Sequence, residues 1–372
     1  LIITAAADID LAIKDLVKSA FGHAGQKCSA ASLAIVEASV YDDPSFRRRL
    51  ADAVRSQRVG WAEDPATIIG PVISAPTGNL ERALTTLEPG ETWLVDPKPL
   101  DESGRLWSPG VRWDVSPESW FHLTECFGPV LGVMRADNLD HAIELQNAPE
   151  YGLTGGIHSL DPREIDTWLE RVQVGNAYVN RHITGAVVRR QPFGGWKRSS
   201  IGGGAKPGGP GHLSTYGTWR APQLDPAYAR TSFARAWRER FGVESDPSAL
   251  RSERNILRYR PLDGVLVRMD DSVSEDAREI LQAATVMSGT PVMWSLTSQE
   301  SDEAMAARLG SMSIERLRLL APASDALLRA AHDAGIAVVT APVTDEGETE
   351  LPHWLKEQSV SITRHRHGRL LD

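Results

Sequence analysis

Between residues 29 and 220, short apolar runs of strand length alternate with segments that carry helix-capping signals. Residues 33–36 are typical of a buried strand, and Asp43 and Pro44 are the N-cap and first residue of the helix expected after it. The same pattern predicts a strand at 129–134, a helix at 139–146, a helix at 164–172 and a strand at 177–179. This alternation is typical of an α/β domain, and the last four segments have the order β, α, α, β.

A buried strand is also predicted for residues 1–4. Asp8 is the expected N-cap of the next helix, whose apolar residues share one face at helical spacing. These residues are Ile9, Ile13, Leu16, Val17, Ala20 and Phe21. The helix leads into a glycine-containing segment around Cys28.

The last third of the sequence predicts a second, smaller α/β domain. Residues 221–250 shift to Ala, Arg, Ser and Pro, which is typical of a connector, so we expect domains at 1–220 and 251–372 with a linker at 221–250. The second domain is expected to contain a helix with a capping box of Ser272 and Glu275, a strand at 291–296, a helix capped by Ser324 and ended by Gly335, and a strand at 336–340. It is therefore Rossmann-like, but degenerate, since it has no glycine fingerprint.

Composition excludes several classes of protein. The 372 residues are 41% hydrophobic with a net charge of -9, which is typical of a globular protein, and no apolar run approaches the roughly 18 residues of a membrane-spanning helix. The acidic balance argues against nucleic acid as a partner. Because two cysteines cannot form a disulfide framework, we expect a reducing, cytoplasmic location.

A glycine-rich segment at 202–211 invites comparison with phosphate-binding loops. Pro207 occupies the place of the third glycine in the G-x-G-x-x-G pattern, no strand leads into the segment, and the Walker pattern is absent. We interpret it as a mobile or turn-rich loop.

Cys28 follows Gly25-Gln26-Lys27, where glycine frees the backbone and a neighbouring cation favours the thiolate. A nucleophile and a buried structural cysteine both fit this pattern, and a Cys–His hydrolase with His23, His122 or His182 is a further alternative. No metal site is expected, since Cys126 is far away in sequence and neither cysteine has a neighbouring ligand motif.

Three motifs resemble those of the aldehyde dehydrogenase superfamily in their order along the chain. Gly25-Gln26-Lys27-Cys28 is similar to the nucleophile motif, residues 125–130 to E-x-F-G-P-V, and residues 192–195 to P-F-G-G. Residues 151–156, 175–181 and 184–188 resemble the glutamate-semialdehyde (pyrroline-5-carboxylate) dehydrogenase branch. Residues after about 250 resemble the C-terminal domain of long bifunctional proline utilization proteins.

The resemblance implies an NAD-dependent oxidation of L-glutamate γ-semialdehyde to L-glutamate. Cys28 would attack the aldehyde, the thiohemiacetal would lose a hydride to NAD, and water would hydrolyse the thioester. Glu125 would bind the nicotinamide ribose, with Phe127 and Leu153 near the cofactor. Ser29, Gly185, Ala186 and Phe193 would contact the substrate, the glycine loop through backbone N–H groups.

The resemblance also implies parts that the sequence does not contain. In the family, the general base on a Glu-Leu-Gly-Gly segment, an oxyanion asparagine and most of the NAD domain precede the strand at 1–4. We therefore expect the chain to be a fragment that cannot turn over aldehyde alone. A homo-oligomer is expected, as is FAD if a proline dehydrogenase domain lies upstream.

A non-enzymatic role is an alternative for the domain at 251–372. Because no catalytic residue is recognised there, this domain could cover a substrate channel or mediate oligomer contacts.

Overall fold

The computed structural model describes residues 1–200 and 202–370 and divides the chain into two compact units. The first unit comprises Leu1–Ala186, Arg251–Glu253 and the residues from Ser361 onward, and the second comprises Val187–Leu250 and Arg254–Val360. The predicted domain bounds at 220 and 250 stay a prediction, since the compact units have other bounds.

The first unit is built on parallel strands connected by helices. Its strands are β1 (Ile2–Ile3), β2 (Leu33–Glu37), β3 (Thr92–Val95), β4 (Gly110–Trp113), β5 (Val130–Ala136), β6 (Tyr151–Gly152), β7 (Thr154–His158) and β8 (Asn176–Val179). Its helices are α1 (Ile9–Phe21), α2 (Ala38–Tyr41), α3 (Pro44–Arg55), α4 (Gly78–Thr85), α5 (Trp120–Leu123), α6 (Leu139–Asn147) and α7 (Pro162–Arg171). Seven strands lie in the order β8-β7-β1-β2-β5-β4-β3, and only β3 pairs antiparallel with its neighbour.

The remaining elements lie after residue 186. The strands are β9 (Trp196–Lys197), β10 (Glu253–Pro261), β11 (Val265–Met269), β12 (Val292–Leu296), β13 (Arg316–Leu319), β14 (Ala337–Val339), β15 (Leu355–Thr363), β16 (His365–Arg366) and β17 (Arg369–Leu370). The helices are α8 (Pro226–Ala236), α9 (Glu275–Ser288), α10 (Asp302–Leu309), α11 (Asp325–Asp333) and α12 (Gly347–Glu350). The parallel order β12-β11-β13-β14 is Rossmann-like, so the α/β fold class is confirmed for both units.

Several local predictions are confirmed by the caps. The Asp8 carboxylate accepts a hydrogen bond from the Leu11 amide at 3.3 Å, and Asp43 caps α3 with Pro44 in its first turn. Ser324 caps α11 as expected. The capping box at Ser272 and Glu275 is wrong: Ser274 caps α9, while the Ser272 hydroxyl donates to Asp270.

The predicted order β, α, α, β is also wrong, because β7 lies between α6 and α7. This strand carries Gly155 and Gly156, which have little intrinsic strand preference. A Cβ at Gly156 would lie 2.6 Å from the Ile183 side chain, and one at Gly155 would lie 3.1 Å from Val174. Glycine is required at these two positions because neighbouring side chains occupy the space that a Cβ would need.

The stretch interpreted as a linker contains α8, and this helix belongs to a hydrophobic core. Ala229 and Phe233 are fully buried with Val267 and Trp354 in the second unit. The Asp225 side chain caps the helix. No helix within the described ranges is long and apolar enough to cross a membrane.

The burial of His158, at the end of β7, predicts that the stability of the protein depends on pH. Its side chain is 1% exposed, and burial lowers its pKa from 6.5 to about 4. Between pH 6.5 and 4 the unfolded chain binds a proton that the folded chain excludes, so the free energy of unfolding falls as pH falls. The contribution is about 3 kcal/mol over this range.

We expect His158→Gln to reduce the slope of unfolding free energy between pH 6.5 and 4, measured by urea denaturation. His141→Gln, at a partly exposed position on α6, is the control that keeps the slope. An unchanged slope in the His158 variant would contradict the assignment.

Candidate active site

Two of the recognised motifs meet because they precede neighbouring parallel strands. Cys28 lies before β2, residues 125–129 lie before β5, and β2 and β5 pair in parallel. The amino ends of parallel neighbours share one edge of a sheet. Segments about 100 residues apart in sequence are therefore brought together.

The contact between these segments is made by glycine backbone and one glutamine. A Cβ at Gly25 would lie 2.5 Å from the carbonyl carbon of Gly128 and would overlap its oxygen. The Gln26 side chain donates to the Phe127 carbonyl at 3.1 Å and accepts from the Ile73 amide at 2.9 Å. Gly25 and Gln26 thus join the two motifs at van der Waals and hydrogen-bond distance.

The backbone before Cys28 is left-handed at three consecutive residues. His23, Ala24 and Gly25 have φ values of 55°, 53° and 69°. Such angles cost roughly 1–3 kcal/mol at each of the two non-glycine residues, so the surrounding contacts must hold the turn. The Ala30 amide then donates to the Lys27 carbonyl at 2.9 Å, which closes a second turn over Cys28.

The two cysteines have opposite environments, and both are free thiols. Cys28 is exposed at its turn, as a nucleophile must be to reach a substrate. Cys126 is buried, its thiol donates to the Thr124 carbonyl at 3.7 Å, and burial raises its pKa to about 11. Cys126 is therefore protonated and inert at neutral pH.

Glu125 and Phe127 face solvent on either side of buried Cys126. Phe127 is 44% exposed and has a φ of 55°, while Gly128 behind it is buried. Leu153 lies at the amino end of β7, at the same edge of the sheet as Cys28, and is partly exposed. The three residues predicted to bind the cofactor thus precede strands β5 and β7 at one edge of the sheet.

Ser19 on α1 connects the predicted substrate loop with the Cys28 turn, although no pattern in the sequence indicates this role. The fully buried Ser19 hydroxyl accepts from the Ile183 amide at 3.1 Å, and its carbonyl accepts from the Ala31 amide at 3.0 Å. Ile183 precedes Thr184-Gly185-Ala186, in which Gly185 has a φ of 78°. One helix residue thus anchors both segments, and Ser29 is buried between Cys28 and Ala31.

Tyr178 on β8 is a second residue that sequence reasoning missed. It is 1% exposed, and its hydroxyl has no hydrogen-bond partner in the described part of the chain. Its pKa is raised to about 12, chiefly by burial, and Cys28 contributes in the same direction. A hydroxyl donor therefore lies within electrostatic range of the thiol.

Phe193 lies in the second unit, where the glycine-rich segment holds its backbone. The Phe193 amide donates to the Pro207 carbonyl at 3.2 Å, and the Lys206 ammonium donates to the Gly194 carbonyl at 2.5 Å. Lys206 is 1% exposed, and burial lowers its pKa to about 7 despite the opposing charge of Glu357. The segment at 202–211 thus forms turns, as predicted, and its one buried residue is a structural lysine.

The Cys–His hydrolase stays an alternative, although two of its three candidate histidines make hydrogen bonds within the fold. Both ring nitrogens of His122 are occupied: Nδ1 accepts from the Glu118 amide and Nε2 lies 2.8 Å from the Leu145 carbonyl. His182 Nδ1 lies 3.4 Å from the Thr184 hydroxyl. Over the residues that the structure describes, no group of three metal-ligating side chains is assembled.

The fold, the exposed cysteine and its partner motif are consistent with one class of enzyme. Residues 1–220 match the aldehyde dehydrogenase family, and the chain belongs to that family. The expected family is therefore confirmed.

Relatives of this chain carry the name of the expected branch of the family. The chain is 39% identical over 208 residues to 1-pyrroline-5-carboxylate dehydrogenase of Geobacillus sp. (strain WCH70), and 38% identical over 210 residues to that of Bacillus subtilis (strain 168). These matches cover 56% of this chain and 40% of each relative, so the chain spans about two fifths of their length.

A solved structure matches nearly all of the chain. Proline utilization A (PutA) from Corynebacterium freiburgense is 46% identical with a TM-score of 0.88, covering 99% of this chain and 39% of the other. A 1-pyrroline-5-carboxylate dehydrogenase from Thermus with bound NAD is 36% identical with a TM-score of 0.51, covering 56% of this chain and 40% of the other. The resemblance to both groups of proteins is confirmed.

Proposed function

We propose that the protein containing this chain oxidises L-glutamate γ-semialdehyde to L-glutamate with NAD, and that Cys28 is the nucleophile. The observation that carries the proposal is the contact of Gly25 and Gln26 with Phe127 and Gly128. This contact joins the segment that carries the exposed Cys28 to the segment that carries the exposed Glu125 and Phe127, which supports the proposal. The names of the relatives support the substrate.

The chemistry begins with attack of the Cys28 thiolate on the aldehyde carbon. The carbonyl π electrons move to oxygen, and the Cys28 backbone N–H at its turn donates to this oxyanion, a contact worth about 3 kcal/mol in other acyl-transfer sites. The thiohemiacetal then loses a hydride and becomes a thioester on Cys28. Water cleaves the thioester, which releases the carboxylic acid and the thiol.

The cofactor residues fit a dinucleotide in chemistry and exposure. NAD would supply the hydride acceptor when bound. The Glu125 carboxylate offers two acceptor oxygens to ribose hydroxyls, and the exposed face of Phe127 offers apolar surface for a ring to cover. Gln26 donates to the Phe127 carbonyl, so the backbone of this residue is held in place.

The substrate carboxylate would be bound by backbone donors at Gly185 and Ala186. A glycine with positive φ turns successive N–H groups toward one point, which suits an anion. Ser29 would add a hydroxyl, Leu153 would lie against the nicotinamide, and Phe193 would supply apolar wall. Ser19 keeps the loop at 183–186 in register with the Cys28 turn.

The direct test is an assay of the full-length protein with glutamate γ-semialdehyde and NAD. We expect steady NADH production and formation of glutamate in equal amounts. Oxidation of unrelated aldehydes with glutamate semialdehyde untouched would overturn the substrate assignment. A homo-oligomer, a cytoplasmic location, and FAD in an upstream proline dehydrogenase domain remain proposals.

Glu125→Gln tests the cofactor role. The amide keeps the size of the side chain but removes its charge and one acceptor, so charge-assisted hydrogen bonds worth about 1.5 kcal/mol are lost. We expect the KM for NAD to rise about tenfold, with a smaller change in the KM for aldehyde.

Glu118→Gln is the matched control, since Glu118 is also exposed and precedes α5. Its KM for NAD should stay at the unmodified value. Equal KM values in the Glu125 variant and the unmodified protein would remove Glu125 from the cofactor site.

A further inference from the structure

Two arginines on the central strand β13 are buried in the interior of the second unit. Arg318 is 0% and Arg316 is 3% exposed. They alternate with leucines, so both point to the same face of the sheet. At their level the neighbouring strands present Val265 and Val267 on one side and Ala337 and Val339 on the other. These are apolar surroundings for two guanidinium groups.

One carboxylate is hydrogen-bonded to this pair of guanidiniums. Glu350 is 0% exposed and lies 3.0 Å from Arg318 Nη2. It also accepts from the Trp354 indole at 3.1 Å and the Thr344 amide at 3.1 Å, so its lone pairs are in use. Glu315, next to Arg316, is bonded to Lys356 at 2.9 Å.

Among the groups that are hydrogen-bonded to the two guanidiniums, the positive charge therefore exceeds the negative charge by one. Glu315 also attracts Arg316, but it is shared with Lys356, which Asp263 contacts at 3.2 Å. Burial lowers the pKa of Arg316, but only to about 10, so it is protonated at neutral pH. The pKa of His353 is lowered well below 6.5, first by burial and then by the two arginines, so this histidine is neutral. An uncompensated buried charge is strongly destabilising.

Three nitrogen atoms of the pair also have no hydrogen-bond partner among the described residues. Arg316 Nη1 donates to the Pro352 carbonyl at 3.0 Å and Nη2 to the Gly203 carbonyl at 3.2 Å. Arg316 Nε, Arg318 Nε and Arg318 Nη1 are buried and have no hydrogen-bond partner in the described part of the chain. Buried donors of this kind require an acceptor.

We propose that Arg316 and Arg318 bind one small monovalent anion, with chloride as the ligand in solution. One negative charge, added to that of Glu350, neutralises the two arginines. The anion also accepts hydrogen bonds from the donors that have no other partner. A doubly charged anion such as sulfate or hydrogen phosphate would leave a surplus of negative charge among Val265, Val267 and Val339. This site is independent of the proposed oxidation.

Two measurements on the full-length protein test the proposal. Crystals grown in bromide should show an anomalous peak within hydrogen-bond distance of Arg318 Nη1. The unfolding temperature should rise with chloride concentration at constant ionic strength held by gluconate, as expected for an ion bound only by the folded state. If no anomalous peak appears there and the density is that of water alone, the proposal is overturned, and no variant is needed to show it.

The matched variants are Arg318→Lys and Arg268→Lys. Both arginines are buried, but Arg268 is satisfied by Asp302 at 2.6 Å and by Ser295. We expect the Arg318 variant to lose the chloride-dependent part of the shift and the Arg268 variant to keep it. Equal chloride dependence in both variants would contradict the assignment to Arg318.

Discussion

Replacing Cys28 with alanine is expected to lower kcat for oxidation of glutamate γ-semialdehyde by roughly 10⁴-fold or more, because removal of a covalent nucleophile leaves only binding effects. The KM for NAD should change little, since Cys28 bonds the aldehyde and not the dinucleotide. Steady-state NADH formation by the full-length variant is the measurement.

Cys126→Ala is the control for the loss of a thiol. Cys126 is buried and its pKa is raised, so the variant should retain activity and lose about 1 kcal/mol of stability through the missing sulfur. If the Cys126 variant were inactive and the Cys28 variant active, the nucleophile would have been assigned to the wrong residue.

Gly25→Ala is expected to destabilise the protein by about 3 kcal/mol or more and to abolish activity. The new methyl group would overlap the Gly128 carbonyl, which is backbone and cannot turn aside, and the φ of 69° disfavours any side chain. Either the Cys28 turn or the segment at 125–129 must shift. Urea unfolding and NADH formation report the two effects.

Gly22→Ala is the matched control, three residues earlier in the same turn. Gly22 has a φ of -57°, and a Cβ there meets no atom within 4 Å. We expect a change within about 0.5 kcal/mol and unimpaired turnover. Similar losses in both variants would mean that the turn, rather than its contact with Gly128, is sensitive.

Local signals in the sequence were sufficient for many elements. Asp8 and Asp43 cap the helices predicted for them, because capping depends on residues within one turn. β7 was missed, since its two glycines are explained only by the distant side chains of Val174 and Ile183. β13 was not indicated, because two of its four residues are arginines.

The candidate site likewise combines features that local patterns indicate with features that depend on distant contacts. The motifs around Cys28 and Glu125 could be recognised from the sequence, and the roles of Leu153, Ser29, Gly185, Ala186 and Phe193 stay predictions. The contact of Gly25 with Gly128 depends on the pairing of β2 with β5, which no local pattern encodes. Ser19 and Tyr178 were missed because a serine within a helix and a tyrosine in a strand are ordinary residues there.

The most direct measurement is mass spectrometry of the full-length protein quenched with acid during turnover. If Cys28 forms the thioester, the peptide that contains it will gain the mass of a glutamyl group, and the peptide that contains Cys126 will not. A rapid, productive turnover with an unmodified Cys28 peptide at every time point would contradict covalent catalysis at this residue.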